Sequence, residues 1–270
     1  MKSKSIRKKV HIAFWVLVIL AALCAMLLIV IYSNKGIHIF SCVTTENVSG
    51  SLNMVGTYQV DNSDIKEVSI DWGWGDGDVT VSTYDGDVIV INEFAYHELE
   101  ENERISWEVN AGKLVLIYMK SEPQSNNLFF NNIKIPVKQL EIKVPSSLAN
   151  SMDSISIDVT SSDVSMKDIN AKQFTITNTD GDIELSNMSA TKIRLDNMVG
   201  NTTIASSKTE DINIISDSGL VEIREISADS LTLETEAGEA VIDTVTLGAF
   251  SCDTDTADIT LKGSCDDIDV

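Results

Sequence analysis

The sequence predicts an all-β fold: a single-stranded parallel β-solenoid (β-helix) with 19-residue coils, preceded by one N-terminal transmembrane helix. Three observations predict it. Residues 155–270 repeat with a period of 19, the repeated columns alternate apolar and polar as strands do, and an uncharged 21-residue segment lies near the N-terminus.

The copies start at Ile155, Phe174, Ile193, Ile212 and Leu231, then at Phe250 in a copy one residue short, and end in a fragment from Ile268. Their first column is Ile155, Phe174, Ile193, Ile212, Leu231, Phe250 and Ile268; their third is Ile157, Ile176, Leu195, Ile214, Leu233, Cys252 and Val270. Alternation resumes in the tenth column (Val164, Ile183, Thr202, Val221, Ala240, Ile259) and the twelfth (Met166, Leu185, Ile204, Ile223, Ile242, Leu261). Each copy therefore encodes two short strands whose apolar columns face inward. One copy cannot bury its own apolar face, so neighbours must stack and share a core. An antiparallel sandwich also spaces its turns about every 8 to 12 residues, but it does not need the same side-chain class at the same place in successive units.

Between the two strands of a copy stands a glycine column, Gly181, Gly200, Gly219 and Gly238, with Ser162 and Ala257 in that place in the first and last copies. Glycine at one fixed place predicts a structural corner that needs positive φ or close backbone approach. The same template laid on residues 105–116 puts Ile105 and Trp107 in the first and third columns, Gly112 in the glycine column, and Leu114 and Leu116 in the tenth and twelfth. The solenoid domain is therefore expected over residues 65–270, with regular repeats at 155–270.

Residues 1–11 read as a basic cytoplasmic tail, and residues 12–32, IAFWVLVILAALCAMLLIVIY, as a transmembrane helix. Twenty-one helical residues span about 31 Å, close to the hydrocarbon thickness of a bilayer. Basic residues before the span keep the N-terminus cytoplasmic by the positive-inside rule and place the remainder extracytoplasmic, a single-pass cell-membrane topology. A cleaved signal peptide needs a small-x-small site after its apolar core, and SNKGIHIFSC offers none that is convincing. Residues 33–64 are polar and mixed, and read as a linker.

The formal net charge is −21, and because Lys2, Lys4, Arg7, Lys8 and Lys9 precede the apolar segment, the rest of the chain holds 15 basic against 41 acidic residues. Such a surface is repelled by phosphate, so nucleic acid is excluded as a partner. Two readings stand for the stretch Trp72-Gly73-Trp74-Gly75-Asp76-Gly77-Asp78. Trp72 and Trp74 with Asp76 and Asp78 form a sugar-stacking or cation-binding interaction loop, or the rings cap the end of the core and the glycines make turns. Two readings also stand for Cys252 and Cys265, both on inward columns: a disulfide closing the last coil, or two small buried hydrophobes.

No constellation for catalysis, cofactor or metal is expected. His11, His38 and His97 have no metal-site spacing, and there is no phosphate loop, dinucleotide fingerprint or nucleophile elbow. The ninth-column acids Asp163, Asp182, Glu239 and Asp258, interrupted by Asn201 and Leu220, form either a solvated acidic edge or a calcium column, and they lack the glycine-aspartate nonapeptide of calcium-binding β-rolls.

The basic start, the single apolar span, the segment Lys138 to Pro145 (KQLEIKVP) and repeats such as Phe174 to Leu185 (FTITNTDGDIEL) resemble the bacterial putative-adhesin repeat family, domain-of-unknown-function family 4097. The likeness covers residues 65–270. It implies a β-solenoid of the cell envelope with no catalytic residues to carry over. Together these readings point to a non-enzymatic adhesion, scaffold or interaction module that meets an envelope protein or glycan and is tethered through residues 12–32. The alternative is an accessory or sensor protein of an envelope-stress system, whose short cytoplasmic tail would need a membrane partner to pass a signal; a carbohydrate-active enzyme is the third reading.

Overall fold

The computed structural model describes residues 41–45, 51–61, 64–73, 77–118, 131–135 and 137–270, the first and fifth of these segments by backbone alone. The tail at 1–11, the span at 12–32, Trp74 and Asp76 lie outside the described residues. Among the described residues no helix is long and apolar enough to cross a membrane. Ser41–Thr45 and Asn131–Ile135 pair with each other as a separate two-stranded sheet. The larger of two compact units, Thr45–Glu122 with Ile135–Val270, carries the solenoid.

Parallel pairing advances by one repeat at each step. On the first face Ile155 lies beside Phe174, then Ile193, Ile212 and Leu231. On the second face Val164 lies beside Ile183, followed by Thr202, Val221, Ala240 and Ile259. The first- and third-column side chains from Ile155 to Leu233 are each at most 1% exposed, and so are the twelfth-column side chains from Met166 to Ile242. Burying each such side chain is worth about 1.5–3 kcal/mol, offset by the entropy of ordering the coil, so stability accrues by stacking coil on coil.

The columns also settle the corners. Gly200 has φ +131°, and a Cβ built there would lie 2.1 Å from the carbonyl oxygen of Gly181 in the preceding coil. Gly181, Gly219 and Gly238 repeat this conformation at φ +134°, +130° and +129°. A second corner uses side-chain-bearing residues in the left-handed region: Asp168, Asn187, Ser206, Glu225 and Thr244, with φ between 50° and 61°. Asn187 donates to the Asp168 carboxylate, and the Ser206 hydroxyl to Glu225 at 2.7 Å, so each side chain bridges to the neighbouring coil.

The upstream register differs from the sequence expectation. The coil preceding Ile155 is formed by Val68 and Ile70 on the first face and by Val79 and Val81 on the second. Leu114 and Leu116 lie beside Val68 and Ile70, in the first and third columns, not the tenth and twelfth. Ser106–Asn110 folds back antiparallel onto Lys113–Tyr118 through Ala111 and Gly112, at φ 50° and 82°. Two consecutive positive φ values make a hairpin turn whose twist matches the flanking strands. Gly112 therefore turns a hairpin, whereas the other four glycines turn solenoid corners. Strand alternation has period two in both settings, so the spacing alone cannot separate a coil from a hairpin.

Residues 33–64 include strand Asn53–Asp61, which pairs antiparallel with Val88–Ala95. That strand is in turn antiparallel to Lys138–Pro145, which joins the second face beside Val79–Tyr84. The N-terminal end of the stack thus changes from parallel to antiparallel pairing, which no single coil template contains.

Candidate functional site

Strand parity drives two opposite charges into the closed N-terminal end. Glu93 is in phase with Ile89 and Ile91, and Lys138 with Leu140 and Ile142, all of them fully buried. Glu93 stands opposite Leu140 across the antiparallel pair, and its carboxylate binds the Lys138 ammonium with both side chains wholly enclosed. The remaining polar capacity is taken up locally. Lys138 Nζ donates to the Glu103 carbonyl at 2.6 Å, and Glu93 accepts from the Ile105 amide at 2.8 Å and the Tyr58 hydroxyl at 3.3 Å.

Two rings complete the enclosure. Lys138 Nζ sits 3.6 Å from the Tyr118 ring centroid and 5.3 Å from that of Trp72, and the two rings are 4.8 Å apart. The ring faces carry negative charge density that holds a cation. Burial is the largest influence on Lys138 and pushes its ammonium down to about 8, with Glu93 and Glu103 opposing. Burial likewise raises the Tyr118 hydroxyl well above the usual phenol range, helped by Glu103 and Glu93. A lysine of lowered basicity can serve as a nucleophile, but Lys138 is 0% exposed and already held by Glu93 and Glu103. The cluster is a pin that closes the end of the core.

Trp72 belongs to this pin. It is 0% exposed, in phase with Val68 and Ile70, and its indole N–H donates to the Gly77 carbonyl at 3.2 Å. It is therefore unavailable to stack on a sugar, which corrects its reading as part of an interaction loop. Asp78 stands next to Asp163, one coil before it. Desolvation, then the Asp163 charge, raise its carboxyl above the usual range.

The ninth column is a hydrogen-bonded ladder. The Asp182 amide donates to Asp163 Oδ1 at 2.8 Å, the Asn201 amide to Asp182 Oδ1 at 2.7 Å, and the Leu220 amide to Asn201 Oδ1 at 3.1 Å. The ladder stops at Leu220, which has no side-chain acceptor, and from there strand pairing takes over through Gly219 beside Gly238 and Leu220 beside Glu239. These oxygens join coil to coil. Among the described residues no group of three or more His, Cys, Asp or Glu is placed to hold a metal ion.

A polar fifth column, not apparent from the first and third, runs inside the stack: Asn178 and Asn197 are 0% exposed and Ser216 1%. Asn178 Nδ2 donates to the Ser162 carbonyl at 3.1 Å, and Asn197 Nδ2 to Thr202 Oγ1 at 3.2 Å. Its signal was polar residues at inward parity, visible once the copies are written in register. Cys252 is buried and Cys265 half-buried, and both are free thiols. The Cys265 thiol lies 3.0 Å from the Asp267 carbonyl, and no disulfide joins the pair.

The buried Oδ1 atoms of Asn178 and Asn197 and the Ser216 hydroxyl make no hydrogen bond, whereas two further polar columns face outward. Ser69, Ser156, Thr175 and Arg194 follow one another along the second column, and Asp71, Asp158, Thr177 and Asp196 along the fourth. Asp158 directly faces Asp71; burial, then that charge, raise its carboxyl above the usual range. Along the Asp168–Thr244 corner runs an open groove of about 730 Å³, lined by those side-chain bridges together with Lys208 and Ser227.

A stack of parallel coils, tied by side-chain ladders and closed at one end by a buried ion pair, defines a β-solenoid domain. Residues 65–268 match the Toastrack DUF4097 family, and the chain belongs to it. No curated protein matches the sequence. Among solved structures, it is similar to a putative adhesin from Bacteroides fragilis, with 13% identity, 82% of this chain and 98% of that one covered, and a TM-score of 0.47. A putative cell adhesion protein from Clostridium sporogenes shows 12% identity, 81% and 99% coverage and a TM-score of 0.42. A putative lipid binding protein from Parabacteroides distasonis shows 14% identity, 84% and 99% coverage and a TM-score of 0.28.

Proposed function

We propose that this protein is a non-enzymatic interaction module of the bacterial cell envelope, an extracytoplasmic β-solenoid tethered to the membrane through residues 12–32. One observation carries the reading. Side-chain oxygens at the corners are joined coil to coil, while outward side chains of the second and fourth columns stand in straight rows. Rows one strand spacing apart, about 4.8 Å, on a frame that resists deformation suit a protein or glycan polymer presenting its own repeated groups. The acidic balance of the domain favours partners of positive charge and disfavours anionic lipid.

The test compares intact cells expressing the full chain with cells expressing a chain that lacks residues 155–270, read by capture of envelope protein or glycan and by membrane fractionation. The reading expects binding to be lost while both chains stay in the membrane fraction. Equal capture by both chains, or recovery of the full chain from the soluble fraction, overturns it.

A further inference from the structure

The corner that returns the chain from the second face to the first is concave. Two cavities of about 590 and 730 Å³ adjoin there and share Asn170 and Ser189, so they form one groove along the stack. Its outward side chains advance one coil at a time: Asn170 lies beside Ser189, Ser189 beside Lys208 and Lys208 beside Ser227, while the Asn170 amide donates to Asn150 on the other side. From Asn150 to Ser227 is four strand spacings, about 19 Å. Short side chains keep the groove open, with Ala171 and Ala190 in its wall and Met188 and Ile226 buried beneath it.

Charge and hydrogen bonding select the occupant. The groove holds three bases, Lys66, Lys172 and Lys208, and three acids, Asp153, Asp168 and Glu225, in a chain where acids outnumber bases 41 to 20. Each acid is already engaged: Asp153 by Lys172 at 2.6 Å, Asp168 by Asn187, and Glu225 by the Ser206 hydroxyl at 2.7 Å. A cationic partner therefore finds no free carboxylate, and an anionic one meets the net charge of the surrounding domain. A peptide strand cannot add here either, because the backbone is spent between coils. The Lys208 amide donates to the Met188 carbonyl at 2.9 Å and the Ser227 amide to the Ser207 carbonyl at 3.2 Å. Among the described residues, the hydroxyls of Ser189 and Ser227 and the ammonium groups of Lys66 and Lys208 have no hydrogen-bond or ion-pair partner. Free uncharged and cationic donors beside small apolar side chains match a ligand with apolar ring faces and many hydroxyls.

We propose that this groove binds an uncharged linear glycan, with ring faces over Ala171 and Ala190 and hydroxyls bonded to Ser189, Ser227, Lys66 and Lys208. The rise of one sugar in an extended chain is close to one strand spacing, so successive rings meet successive coils. The proposal rests on the interaction-module reading and names the site and the ligand class.

The test uses the full chain in a zwitterionic, sugar-free detergent, with cellohexaose and chitohexaose as probes and affinity read by isothermal titration calorimetry. At least one hexamer should bind, its disaccharide at least about tenfold more weakly because it spans fewer coils, and hexagalacturonate at least about tenfold more weakly because of its charge. Ser189→Tyr and Ser227→Tyr, at exposed positions inside the groove, should each lose at least about tenfold in affinity with unchanged thermal midpoints. Thr177→Tyr, on the outward fourth column, should bind as the unsubstituted chain does. Binding of neither hexamer would leave the groove without this ligand, and equal affinity for the disaccharide would show that the length of the groove is not used. Tighter binding of hexagalacturonate would make the ligand anionic. Loss in Thr177→Tyr and not in the two groove variants would move the site to the outward columns. Each of these four results overturns the proposal, and none of them decides envelope capture on cells, which tests the interaction-module reading separately.

Discussion

The two ends of the solenoid solve the same physical problem in opposite ways. A stack of coils ends in a bare strand edge and an uncovered apolar core. At the N-terminal end the chain reverses into antiparallel strands and packs a buried ion pair against two aromatic rings, so that Trp72, Tyr118 and Lys138 are at most 1% exposed. At the other end Asp258–Asp269 keeps the parallel pattern, leaves Ile268 and Val270 exposed, and relies on aspartates along the edge. The closed end uses long-range partners that break the repeat, whereas the last described strand keeps it. The coils between them are nearly equivalent, so their stability should be the sum of neighbour contacts.

The largest expected effect breaks the closed end. Lys138→Met leaves Glu93 buried without its cation and should cost about 3–5 kcal/mol, whereas the double variant Lys138→Met with Glu93→Met should recover most of that loss. Urea unfolding of both variants checks this, and a double variant as weak as the single one would mean the ion pair itself is indispensable.

The same pin has a pH signature. Lys138 is held at about 8 in the fold, below the ordinary lysine value of about 10.4. Between those values the unfolded chain binds more protons than the folded one, so the contribution of this group to stability is flat below about pH 8 and rises as pH climbs toward 10. The urea midpoint of the unsubstituted chain should gain on that of Lys138→Met between about pH 8 and 9.5, before tyrosines titrate. Parallel midpoints across that range would show that the ammonium is not strained by burial.

Within the regular coils, Gly200→Ala forces a Cβ to 2.1 Å from the Gly181 carbonyl oxygen at a positive φ. It should cost about 1–3 kcal/mol, and more than an alanine at Gly112, whose Cβ would meet the Asp64 carbonyl oxygen less closely, at 2.8 Å. Comparing the two by thermal unfolding sharpens the difference between a stacking glycine and a turning one. The smallest effect is expected from Asp182→Ala, which removes one exposed acceptor from the ladder and should cost about 1 kcal/mol, seen as faster exchange of the Asn201 amide.

The repeat was legible because stacking demands the same side-chain class at the same place: Ile155, Phe174, Ile193, Ile212 and Leu231 announce both a period and a face. The closed end was not, for a physical reason. Ile105, Gly112 and Leu114 fit the coil template, yet a hairpin and a coil share the same alternation, and only the partner strand distinguishes them. Trp72 was readable from its phase with Val68 and Ile70, in line with the reading in which the rings cap the core, while its proximity to glycines and aspartates kept an interaction loop as the other reading. Lys138 and Glu93 each show inward parity in their own strands, while their meeting depends on an antiparallel pairing that no local pattern encodes. The ninth-column acids were visible as a row; that Asp163 and Asp182 accept amides from the next coil required the stack itself.

Hydrogen exchange of the full chain tests the contrast between the ends most directly. The account expects the amides of Glu67–Trp72 to exchange as slowly as those of Ala171–Asp180 in the middle of the stack, and those of Asp258–Asp269 at least about tenfold faster. Exchange in Glu67–Trp72 as fast as in Asp258–Asp269 would contradict it, because the buried pair would then close nothing.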